Sequence, residues 1–302
     1  MVFIMPGVHF DGPDDVRLDR FARVMAGTGR AVVVPFLPDY LRLRPTEAVF
    51  SDADEFVQAA LASEHRPDRR PALLFSISFG SLPAFYIASR EHAEQFSALV
   101  TFGGYGVWAP AVRFALCGDV RSGVEHPDPL NRPVVALNLC DQVEEMAPHV
   151  AQLRPAWREF CRQTWGRPEM KLRENFVPVA KGLADRLPDE VQDYFLMGCG
   201  ARDGGVERLM EALAVGDWEH LDPVQFISEI RIPLHVIHGR SDDVIPHTQV
   251  ESILEACPPE HPVRAYKTGL YSHTGSESGG SSPAAQIDEY RTMAGMLLAL
   301  AL

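Results

Sequence analysis

Basic residues are scarce in this chain of 302: 28 lysines and arginines stand against 41 aspartates and glutamates, a formal net charge of -13. The excess is spread thinly rather than gathered in a tail, which argues against non-specific binding to nucleic acid or to an anionic membrane. Long apolar runs are also missing. Met1–Met5 stops at Pro6-Gly7 with no basic segment before it, and Met296–Leu302 is far too short to span a bilayer. A cytoplasmic location is the resulting expectation. Cysteine is sparse and unpatterned: Cys117, Cys140, Cys161, Cys199 and Cys257 are odd in number and form no C-x-x-C pair. Reduced, mostly buried thiols are expected, rather than a disulfide or zinc framework. No internal repeat and no long low-complexity segment interrupts the chain.

What is there suits one large folded unit. A hydrophobic fraction of 46% is ordinary for a globular protein, and this length buries a sizeable core without disulfides or structural metal. Short apolar runs alternate with segments of helical spacing. The runs are Val2–Met5, Ala31–Val34, Ala72–Phe75, Ala98–Phe102, Leu234–Ile237 and Val263–Tyr266. Continuous apolar strands suit a sheet covered on both faces, and the alternation predicts a mostly parallel α/β sheet flanked by helices. The regularity fails between about 140 and 226. There Val206, Leu209, Met210 and Leu213 fall on one helical face. A helical insertion over the sheet is expected, and Pro133–Leu139 is either one more strand or the start of that insertion.

The most informative segment is Ala72 to Ala84. A buried strand runs into Ser76-Ile77-Ser78-Phe79-Gly80 and then into a helix. In a nucleophile elbow the serine occupies a tight strand-to-helix turn, and the positions two before and two after it must be small. Ser76 and Gly80 meet that condition. The turn would lift the Ser78 hydroxyl clear of the sheet and aim the Phe79 N–H at a developing oxyanion. The same letters recur at Ser276-Glu277-Ser278-Gly279-Gly280, without a strand before or a helix after, so Ser278 is set aside.

A carboxylate at the end of a late strand can orient a histidine on the next loop. Asp242, third after Gly239, is the preferred acid, with Asp243 the alternative. After the last strand comes Gly269-Leu270-Tyr271-Ser272-His273, which makes His273 the candidate general base. The order Ser78, Asp242, His273 fits a Ser…Asp…His hydrolase. His235 and His238, three apart on one strand, point to opposite faces and cannot readily share a metal, so both are read as structural. The strand exit Met5-Pro6-Gly7-Val8-His9 supplies a second oxyanion donor. Val8 is chosen; His9 is the alternative, and its side chain could instead contact substrate.

With these pieces assembled, the chain resembles the α/β-hydrolase superfamily. The resemblance rests on MPGVH, SISFG, HGRSDDVIP and YSHTG in this order and covers about 1–135 and 227–302. It departs where the first loop reads Pro6-Gly7 rather than His-Gly, and where Ser76 replaces the first elbow glycine. The chain also begins at what looks like the superfamily's third strand. The resemblance implies an α/β-hydrolase core over 1–139 and 227–302 with a helical cap, or lid, over 140–226. It also implies a carboxylesterase-like serine hydrolase. Its substrate would be a small acyl compound cleaved through an acyl-Ser78 intermediate, and no metal or organic cofactor is needed. Acyl transfer by the same three residues, or a non-catalytic binding protein of this fold, are the alternatives. Trp157, Phe160, Trp165, Tyr194 and Phe195 are the expected aromatic wall of a lid.

Overall fold

A computed structural model describes residues 1–64, 66, 70–269 and 283–300, with side chains described throughout these except at 283–288. Six strands form one sheet: β1 (Val2–Met5), β2 (Val32–Val33), β3 (Ala72–Ile77), β4 (Phe96–Phe102), β5 (Leu234–Gly239) and β6 (Val263–Thr268). Their order is β2-β1-β3-β4-β5-β6, and every pairing is parallel. All six apolar runs of the sequence are strands.

The strands are apolar at successive positions because both faces are covered. Val2, Ile4, Leu73, Phe75, Ala98 and Val100 face one layer, which contains Leu18 and Met25 of α1 (Val16–Ala26). Phe3, Met5, Leu74, Leu99, Leu234 and Val236 belong to the larger core on the other face. That side carries α2 (Pro38–Leu41), α3 (Ala48–Ala62) and α4 (Ser81–Ser89). Alternate residues of a strand point to opposite faces, so each strand feeds both cores. The edge strands differ: β2 is only partly buried, and β6 carries Arg264 and Lys267, charges of the kind that discourage edge-to-edge pairing.

Between β4 and β5 the chain is helical: α5 (Trp108–Cys117), α6 (Arg132–Leu139), α7 (Val150–Thr164), α8 (Arg173–Ala184), α9 (Asp189–Gly198) and α10 (Gly205–Val215). Pro133–Leu139 therefore lies in a helix, not a strand. Proline fits the first helical turn, where its missing N–H costs nothing, and Pro133 sits there. The helices begin at Trp108, so α5 and α6 join those expected from 140 onward. In α10, Leu209 and Leu213 are buried and Val206 and Met210 pack against the same core. The chain closes with α11 (Gln249–Ala256) and α12 (Pro283–Leu300), whose Met296 and Ala299 complete the α1 side. Among the described residues no helix is long and apolar enough to cross a membrane.

Candidate active site

β3 ends at Ile77, and Ser78 follows with φ 54, in the left-handed region. Among described non-glycine residues only Leu43 shares a positive φ. Such a conformation costs a residue with a side chain about 1–3 kcal/mol and persists where the surroundings enforce it. They do so here through two glycines. A Cβ at Gly80 would lie 2.3 Å from the Met5 carbonyl oxygen and 2.6 Å from that of Pro6. A Cβ at Gly7 would lie 3.1 Å from Ser78 Cβ and 3.7 Å from its Oγ. The end of β1 thus presses directly on the turn. Ser76, wholly buried, pairs with Met5 on one side and Thr101 on the other. After Ser78 the chain makes a short 3-10 turn over Ser78–Gly80 and enters α4. The carbonyl of Phe79 accepts a hydrogen bond of 2.7 Å from the buried Tyr40 hydroxyl. Its ring packs against Tyr105 and Trp108, with centroids 5.0 and 5.7 Å away.

Asp242 lies on the loop after β5 and is 3% exposed. One carboxylate oxygen accepts hydrogen bonds from the N–H groups of Val244 (2.9 Å) and Ile245 (2.8 Å). The other lies 3.4 Å from Nε2 of His238, which is wholly buried and 2.9 Å from the Ile245 carbonyl oxygen. Asp243 faces elsewhere: its carboxylate is 2.5 Å from Lys171 Nζ, which also lies 3.0 Å from Asp128. Burial pushes the Asp128 carboxyl above its ordinary range, against the pull of Lys171. His273, together with 270–282, lies outside the described residues. The last described residues before it, at the end of β6, lie beside the start of the Asp242 loop, where the Arg240 N–H donates to the Thr268 carbonyl at 2.8 Å. Gly239 pairs with Thr268 across β5 and β6. Glu289 of α12 accepts bonds from the Thr268 hydroxyl (2.8 Å) and the Gly269 N–H (2.7 Å).

Ser78 opens into a cavity of about 520 Å³, within the range of small-molecule sites. Gly7, Val8 and Phe79 line it beside the serine. Its apolar wall comes from α5 and α6: Trp108, Ala111, Val112, Ala115, Val134 and Val135. Trp165, just past α7, closes another side; its indole N–H donates to the Leu130 carbonyl at 2.9 Å. Of the five expected wall aromatics, Trp165 alone lines this cavity. Trp157, Phe160 and Phe195 are wholly buried among the helices, where Trp157 Nε1 donates to the Phe195 carbonyl at 3.0 Å. Tyr194 stacks on His149. A large aromatic on an amphipathic helix serves helix packing first, which is what these three do.

His9 also lines the cavity, and both ring nitrogens are occupied. Nδ1 accepts from the Asp11 N–H at 3.2 Å, and Nε2 lies 3.2 Å from Asp15. Burial lowers the His9 pKa despite the neighbouring Asp15 carboxylate. It packs against Phe10 (4.3 Å) and Trp165 (5.6 Å), tying the loop that carries Val8 to the helical region.

Four of the five thiols are quiet. Burial pushes the Cys140 thiol up to about 11 and raises Cys161, Cys199 and Cys257 as well, against the formation of a thiolate. Among the described residues no group of three or more His, Cys, Asp or Glu is placed to hold a metal ion. His235 and His238 take opposite faces of β5, His235 stacking on Tyr266. His238, however, faces Asp242, a contact that the spacing of the two residues did not suggest. It arises because the loop folds back over the strand end.

The parallel order, the strained serine after β3 and the helical insertion after β4 give an α/β-hydrolase fold. No family model matches the chain, and no curated protein matches it. Solved structures similar to it include an acylaminoacyl peptidase from Pyrococcus horikoshii, at 13% identity and TM-score 0.47 over 99% of this chain. The chain spans 36% of that peptidase's length. DcsB in complex with its substrate analogue is similar at 15% identity and TM-score 0.49, over 99% of this chain and 89% of that one. A monoacylglycerol lipase from Paleococcus ferrophilus is similar at 11% and 0.46, over 99% and 93%. These TM-scores lie below 0.5, and the reading of the site rests on the chain's own geometry instead.

Proposed function

We propose that the protein is a serine hydrolase that cleaves carboxyl esters with an apolar acyl part, through an acyl-Ser78 intermediate. The observation that carries this reading is Ser78 itself: a left-handed serine between a buried strand and a helix, opening into an apolar cavity. An ordinary strand-to-helix turn has no need of a strained serine at that point.

In the proposed reaction His273 takes the Ser78 hydroxyl proton as the oxygen attacks the acyl carbonyl. Asp242 holds the imidazole and balances its charge, and the N–H groups of Phe79 and Val8 receive the oxyanion. The protonated His273 then gives its proton to the departing alcohol. Water, deprotonated by His273, attacks the acyl-enzyme and releases the acid. No step in this scheme calls for a metal or organic cofactor. Asp242 is favoured over Asp243 because two backbone N–H groups fix its carboxylate, whereas Asp243 is engaged by Lys171.

The helical segment over 140–226 acts in this reading as a lid, touching the cavity through Trp165, Arg167 and Lys171. Ser78→Ala is expected to lower hydrolysis of a small activated ester, p-nitrophenyl butyrate, by roughly 10³-fold or more with the fold intact. Near-normal turnover by a folded Ser78→Ala protein would refute the assignment.

A further inference from the structure

Histidine is a costly choice at position 238. The residue follows Leu234 and Val236 along one face of β5, and its side chain is wholly buried. Its Nδ1 has no hydrogen-bond partner among the described residues. A leucine would fill that place without stranding a polar atom. A buried polar atom left unpaired in a native protein calls for an explanation.

The explanation lies at the other ring nitrogen. Nε2 is 2.9 Å from the Ile245 carbonyl oxygen. A carbonyl can only accept, so Nε2 carries the proton and donates it. The same Nε2 lies 3.4 Å from Oδ2 of Asp242, which rests the positive edge of the ring beside that carboxylate. Ile245 closes the circuit: its N–H donates to Oδ1 of Asp242 at 2.8 Å, next to that of Val244 at 2.9 Å. A residue fixed in the sheet is thereby connected to the acid twice, once directly and once through Ile245. Two N–H groups on one oxygen leave the second oxygen free to swing, and His238 faces that second oxygen.

We propose that His238 is a positioning residue of the Ser78 site: it sets the direction of the Asp242 carboxylate and so holds it in line for His273. This rests on the hydrolase reading for the role of Asp242. A carboxylate offers about four acceptor positions. Two on Oδ1 take the Val244 and Ile245 N–H groups, and one on Oδ2 faces His238. The other position on Oδ2 is the one that would receive the imidazole N–H of His273. His238 acts through Asp242 alone and takes no part in proton transfer.

The test measures turnover of p-nitrophenyl butyrate by His238→Leu and His238→Gln, each alone and combined with Asp242→Ala. His238→Leu is expected to lower kcat about 10- to 100-fold with KM nearly unchanged, the scale of a misplaced catalytic group. His238→Gln, whose amide can donate from near the Nε2 position, is expected to recover most of that loss. With Asp242→Ala in place, His238→Leu should cost less than about 2-fold more, because the carboxylate it acts through is gone. A residue that only packs would lower both backgrounds alike. That result overturns the proposal, as does a His238→Leu protein with native kcat. Proton–nitrogen correlation spectra of the imidazoles need neither turnover nor a change at 238. Nε2 of His238 is expected to carry a proton, and its resonance to move in Asp242→Asn, which keeps the shape and removes the charge. An unprotonated Nε2, or one indifferent to Asp242→Asn, overturns the proposal even if Ser78 is a working nucleophile. The coupled shift in a protein that hydrolyses no ester supports the hold of His238 on Asp242 and contradicts the hydrolase reading alone.

Discussion

The two sides of the cavity are held by different forces. On the β1–β3 side, position is set by backbone against backbone: Gly80 lies under the carbonyls of Met5 and Pro6, and Gly7 lies against Ser78. On the β5 side, position is set by polar side chains: Asp242 is fixed by two N–H groups and faces His238, and Asp243 and Asp128 meet on Lys171. Steric contacts between backbones cannot relax by rotating a side chain, whereas hydrogen bonds weaken in graded steps. The serine side should therefore break abruptly under small changes, and the acid side should discriminate between chemically similar ones.

The sharpest discrimination is expected at the two aspartates. Asp242→Asn preserves shape but removes the charge that balances a protonated His273, and kcat is expected to fall about 10³- to 10⁴-fold. Asp243→Asn only weakens the contact with Lys171 and should cost less than about 10-fold. Steady-state kinetics on both variants decides this, and the reverse order would move the acid to Asp243. Gly80→Ala comes next. One added methyl must displace the Met5 carbonyl, and a loss of about 1–3 kcal/mol in stability is expected together with lost activity. A denaturant titration that finds the variant as stable as the native protein would show that the elbow is not held by this contact. The smallest effect belongs to the helical side. Trp165→Ala should widen the chamber, shifting the preferred acyl length while changing kcat/KM for a short ester only a few-fold. An unaltered chain-length profile would remove Trp165, and with it the lid's aromatic contact, from the acyl pocket.

The same contrast explains what could be read from the sequence. The four inner strands were legible because burial on both faces leaves a continuous apolar run, whereas the edge strands β2 and β6 showed only as shorter or charge-interrupted runs. Ser78 stood out because a steric turn demands small residues at fixed offsets, Ser76 and Gly80. Pro133–Leu139 was undecided, since a short apolar run suits a strand or a buried helix equally; only Pro133 in the first turn of α6 hinted at the outcome. Polar partnerships were largely hidden. Lys171 with Asp243 and Tyr40 with Phe79 join residues far apart in the chain, and no periodicity connects them. His238 with Asp242 is close in sequence, yet it depends on a loop folding back over its own strand. The aromatic residues of 140–226 signalled a helical layer, but which of them reached the cavity depended on the faces of α7 and α9.

An activated Ser78 is expected to react with a fluorophosphonate, which requires no choice of substrate. The native protein is expected to take up one phosphonate, located by peptide mass mapping on Ser78, at a rate that falls steeply in Asp242→Asn. Ser78→Ala should take up none. No labelling of the folded native protein, or equal labelling of Ser78→Ala, would contradict the hydrolase reading.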